Sequence, residues 1–150
     1  MRTHVKRTVS RCFAALRQLR QIRRSVPPAT FQSLVVILVL SRLDYGSAVL
    51  VGLPAYLVRR LQSVLNAAAR MIYRTRSADH VTDALACRHW LRVPERIEYK
   101  VAVLTYKVLH GSAWYLGPLV AVADLPGRRT LRSGGTNRLM VPSVKTFNSR

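Results

Sequence analysis

The 150 residues carry 25 Lys and Arg against 6 Asp and Glu, a formal net charge of +19. Hydrophobic residues make up 49% of the chain, which excludes a disordered basic tail and leaves one folded domain with a modest core. A folded body so charged repels itself unless a polyanion neutralises it, and nucleic acid comes before an anionic membrane surface as that partner. The bases are nearly all Arg, whose planar fork grips phosphate; the lysines are Lys6, Lys100, Lys107 and Lys145. Cys12 and Cys87 are too few for a disulfide framework and suit a reduced, intracellular chain, nuclear or cytoplasmic.

In chain order, Val5, Val9, Cys12, Leu16 and Leu19 recur at spacings of four and three, which predicts a first helix over 3–24 with Lys6, Arg7, Arg11 and Arg17 on its other side. An acid-free, Arg-rich start also reads as a mitochondrial presequence, but the apolar rhythm runs on without a cleavage-like break. Pro27 and Pro28 open a second helix to about Arg42, apolar almost all round from Leu34 to Leu40 and so expected to be buried; Val35-Val36-Ile37 leaves a strand as the alternative. Arg42 and Asp44 end that run well short of the roughly 20 residues of a membrane span, so no transmembrane segment is expected. Asp44-Tyr45-Gly46-Ser47 and Gly52-Leu53-Pro54 punctuate the chain.

The clearest helix spans 54–74. At about 100° per residue, Leu57, Leu61, Val64, Leu65, Ala68, Met71 and Ile72 share one face. Arg59, Asn66, Arg70 and Arg74 share the opposite one, with Arg60 at its edge. Ser77 or Asp79 can cap a short helix to about Cys87, and Pro94 can open another that ends at Gly111. This last helix has Ile97, Val101, Leu104 and Val108 on one stripe and Tyr99, Ala102, Val103, Tyr106 and Leu109 on the other, which predicts packing on both sides. A further helix over 112–122 and a short strand at 139–141 complete the elements. The expectation is an all-α fold of about five or six helices in an irregular bundle over 1–123, with a basic, largely irregular Gly- and Arg-containing tail over 124–150.

The acids decide the question of catalysis. Asp44, Asp79, Asp83, Glu95, Glu98 and Asp124 include no adjacent pair of the kind that holds two metal ions for nucleotidyl transfer. Asp79 and Asp83 stand one helical turn apart, where capping is the simpler role. His80, Cys87 and His89 lack zinc-ligand spacing, and Ser133-Gly134-Gly135-Thr136 lacks the lysine of a phosphate loop. Neither a metal nor a cofactor is expected. The acid-free stretch between Pro54 and Ser77 makes a solvated face a poor account of its arginines, since acids normally intersperse such a face. Arg59, Arg60, Arg70, Arg74 and Arg76, with Arg11 and Arg17 of the first helix, are the expected contacts to a phosphate backbone. Tyr73, Trp90, Tyr99 and Tyr106 occupy apolar positions and are expected in the core, with base stacking as the functional alternative.

Several stretches in series resemble one family. They are Ser41-Arg42-Leu43-Asp44-Tyr45 with Gly52-Leu53-Pro54, Arg60-Leu61-Gln62-Ser63-Val64 with Asn66-Ala67-Ala68-Ala69-Arg70, Asp79-His80-Val81-Thr82, His89-Trp90-Leu91, Arg96-Ile97-Glu98-Tyr99-Lys100 and Tyr106-Lys107-Val108-Leu109-His110-Gly111. Their order and spacing are similar to the segment after the palm in LINE-type, non-LTR retrotransposon reverse transcriptases of the jockey-like clades. The chain departs from that family at Gly46-Ser47, where Cys-Asn is usual, and at Arg92, where proline is usual. The resemblance implies a thumb-like region that holds RNA or an RNA–DNA hybrid by its backbone beside a palm domain, which supplies the catalytic aspartates. Without the family, a small basic structural RNA-binding or mitochondrially imported protein is the alternative.

Overall fold

A computed structural model describes residues 1–76 and 79–110 and the single positions 122, 125, 139 and 140; among them the fold is all-α. The chain divides into two units, Met1–Ala102 and Val103–Arg150, and the core and grooves described below belong to the first. All but the last residue of the expected helix at 112–122, and most of the basic tail, lie outside the described residues.

Helix α1 (Arg2–Ile22) buries Val5, Cys12, Ala15, Leu16 and Leu19, the stripe its spacing predicts. That stripe packs on helix α4 (Ala55–Tyr73), so the first segment is part of the folded body. Pro27 and Pro28 fix the entry to α2 (Pro28–Val35). The helix then widens into a π-helical turn over Val36–Leu40 and resumes as α3 (Ser41–Asp44), so no strand forms here.

Phe31, Val35, Val39, Leu40 and Leu43 are buried, but Ile37 is 63% exposed and Val36 37% exposed. The expectation of all-round burial is therefore wrong at these two positions. A helix in a bundle this small meets neighbours on one side, so a run apolar all round leaves part of itself in solvent.

Gly46 takes a left-handed φ of 69° and turns the chain into a 3-10 turn at Ser47–Leu50. On α4, Leu57, Leu61, Val64, Leu65, Ala68 and Ala69 are buried, with Met71 and Ile72 packed against the core from its edge. Arg74 closes α4 in the left-handed conformation, at φ 58°.

The next helix, α5 (Thr82–Ala86), starts later than expected, and Asp79 does not cap it. Instead Asp79 Oδ2 accepts the Arg76 backbone N–H at 2.6 Å, tightening the turn before the helix. Helix α6 (Val93–Leu109) begins against α4, where the Val93 N–H donates to Gln62 Oε1 at 2.8 Å. Only Val93 and Ile97 of α6 are buried, while Tyr99, Tyr106 and Leu109 are exposed, so the second apolar stripe is not covered at these positions. Tyr99 and Tyr106 accordingly leave the expected core, whereas Tyr73 and Trp90 pack against it.

The two thiols differ in setting. Cys12 has no exposed surface, and burial raises its pKa against a smaller opposing pull from Arg42; Cys87 is exposed. The folded Cys12 thiol therefore holds its proton more tightly than the unfolded one. Its contribution to stability is complete below the unfolded pKa and is lost as pH rises through the folded value. Maleimide labelling of the native protein should modify Cys87 rapidly, with the second equivalent appearing only at the rate of unfolding. Two fast equivalents would show that α1 does not seal Cys12.

Candidate functional site

An open groove of about 510 Å³ lies between α4 and the segment that carries α5 and the start of α6. One wall is the polar face of α4, where Arg59, Gln62, Asn66 and Arg70 follow one another at helical spacing. Arg59 and Arg70 are about 16 Å apart along the axis, roughly the rise of five nucleotides in a duplex strand. The opposite wall brings His80, Thr82 and Arg92.

Gln62 fixes the floor. Its Nε2 donates to Asn66 Oδ1 at 2.8 Å, and its Oε1 holds the start of α6. Arg92, the residue before α6, is thereby brought to the groove opposite α4. The Nε of Arg70 is buried with no hydrogen-bond partner among the described residues.

Among the described residues no carboxylate forms an ion pair with these cations. Asp44 pairs with Arg96, the one ion pair among the described residues. Asp79 lines the groove, but its Oδ2 accepts the Arg76 backbone N–H. Glu95 Oε2 accepts the Arg92 backbone N–H at 3.0 Å. Helix α4 itself has no acid, so Arg59 and Arg70 have no intrahelical partner.

A second concavity, of about 500 Å³, lies on another side of the α4 C-terminus. It gathers Arg74 with Arg23, just after α1, and Arg88, just after α5. The expected arginine set is thus divided: Arg59 and Arg70 share the first groove, and Arg74, turned aside where the helix ends, lines the second. Arg60, Arg76, Arg11 and Arg17 are exposed and line neither.

Arg23, Arg88, Arg92 and His80 were not expected. None lies on the arginine face of the 54–74 helix, and only the folding of distant segments onto α4 brings them together. Chemically, the first groove can accept an extended anion along α4, and the second a compact one. Comparison with protein-family models, curated proteins and solved structures finds no match to this chain.

Proposed function

We propose that this chain is a thumb-like helical module of a LINE-type retrotransposon reverse transcriptase, which holds the sugar–phosphate backbone of an RNA–DNA hybrid or RNA duplex without reading its sequence. The retrotransposon assignment is supported by the serial motifs from Ser41 to Gly111. The binding role is supported by one observation above the rest: Arg59, Arg70 and Arg92 converge on one groove, and among the described residues none of the three is in an ion pair.

Arginine forks along a helix suit phosphate oxygens, and contacts of this kind position a duplex without specifying bases. The nucleotidyl-transfer chemistry belongs to a palm domain, and the module's part is to keep the duplex in register with it. No helix among the described residues is long and apolar enough to cross a membrane.

The test is a salt titration of binding to a fluorescent RNA–DNA hybrid. The logarithm of affinity should fall linearly with the logarithm of salt, with a slope steeper than about −2.5 for three or more phosphates neutralised. Two hybrids of unrelated sequence should bind within about threefold of each other. Absence of binding, a flat salt response, or tighter binding to anionic vesicles than to hybrid would overturn the reading.

A further inference from the structure

The second concavity has a chemistry of its own. Three guanidinium groups, from Arg23, Arg74 and Arg88, line it with Gln32, and no carboxylate is among its lining residues. Two of the guanidiniums sit over rings of the same pocket: Arg23 lies 5.8 Å from the Phe31 centroid and Arg88 lies 5.5 Å from that of Tyr73. The Arg88 Nε also donates to the Tyr73 hydroxyl at 3.0 Å, which fixes its fork. Rings hold cations in place without neutralising them. Nη2 of Arg23 is buried and has no hydrogen-bond partner among the described residues.

The gathering is unfavourable as it stands. Burial lowers the pKa of Arg23, and the charges of Arg74 and Arg20 lower it further. The backbone is constrained as well. Arg74, at φ 58°, holds a left-handed conformation that glycine adopts without penalty. At Arg74 this conformation ends α4 in an arginine that lines the pocket. Repelling cations and an unpartnered buried donor are together relieved by one ligand type, a compact polyanion.

We infer that this pocket is a site for a phosphate group carrying two or more negative charges, either free pyrophosphate or the terminal phosphate of a nucleic-acid strand. The forks of Arg23 and Arg88 would take oxygens bidentately, with Arg74 closing over them. This inference does not rest on the hybrid-binding reading, because Arg59, Arg70 and Arg92 take no part in it.

The experiment uses the full chain and inorganic pyrophosphate, with sodium chloride at equal ionic strength as the reference. Thermal unfolding should shift upward with pyrophosphate, and calorimetry should give one site per chain. Arg23→Gln and Arg88→Gln, each checked for helicity by circular dichroism, should each weaken pyrophosphate binding by about tenfold or more. Arg23→Lys, which keeps the charge, should retain part of the affinity. The double variant Arg59→Gln/Arg70→Gln should bind pyrophosphate as the parent does. No shift beyond that in chloride, undiminished binding in folded Arg23→Gln and Arg88→Gln, or equal loss in the Arg59→Gln/Arg70→Gln variant would overturn the assignment.

A 5′-phosphorylated oligonucleotide and its 5′-hydroxyl counterpart, competed against pyrophosphate, identify the source of the anion. Stronger competition by the phosphorylated strand, lost in Arg23→Gln, supports a strand end; equal competition supports the free anion.

Discussion

Replacing Arg59, Arg70 and Arg92 together with Glu should reduce binding to an RNA–DNA hybrid by more than about a thousandfold, to below detection in a fluorescence titration. Each charge-assisted hydrogen bond to phosphate is worth about 1.5–3 kcal/mol, and reversal adds repulsion to the loss of three of them. The control is a second triple, Arg11→Glu, Arg17→Glu and Arg60→Glu, which makes the same change in net charge at exposed positions outside the groove. If the groove is the contact surface, this control loses far less affinity and keeps most of its salt slope. Equal loss in the two triples would mean that bulk charge holds the nucleic acid and that the groove has no special part. Arg92 takes the place in this set that helical register alone would give to Arg74, because Arg74 lines the other concavity.

Leu65→Ala should destabilise the fold by about 2–5 kcal/mol, read as a lowered urea midpoint at unchanged slope. Leu65 has no exposed surface and, on the buried face of α4, lines a small enclosed space with Leu43, Leu50, Val93 and Ile97. Truncation there leaves a cavity that helices on both sides can close only in part. Against a typical domain stability of about 5–15 kcal/mol this loss is large. Ile37→Ala is the informative comparison. An isoleucine in the middle of a β-branched apolar run looks like core, yet at 63% exposure its truncation should change stability by less than about 0.5 kcal/mol. A cost at Ile37 matching that at Leu65 would show that the π-helical turn is covered in solution.

These two leucine and isoleucine positions show where sequence reasoning succeeds and fails. Leu65 belongs to a helix with apolar residues on one face and arginines on the other, so its burial follows from periodicity alone. Ile37 belongs to a run with no polar face, and periodicity cannot say which side meets a neighbour. The same ambiguity explains Tyr99 and Tyr106, which occupy an apolar stripe of α6 and are nonetheless exposed. Asp79 failed for a different reason. It is a good capping residue, but the Arg76 N–H of the preceding turn engages its carboxylate, and α5 begins only at Thr82.

By itself the sequence determined the all-α class, the helix that carries the main basic face, and the stripes of α1 and α4 that meet in the core. These are consequences of spacing along one chain, where a helix places every third and fourth residue on a common side. The tertiary structure alone decided how the arginines are grouped. Arg92 joins Arg59 and Arg70 because Gln62 anchors the start of α6 on α4. Arg23 and Arg88 meet Arg74 because a left-handed residue ends α4 beside segments far away in sequence. Like charges gather only where the packing of other residues holds them, and that packing is a property of the whole fold rather than of any local pattern.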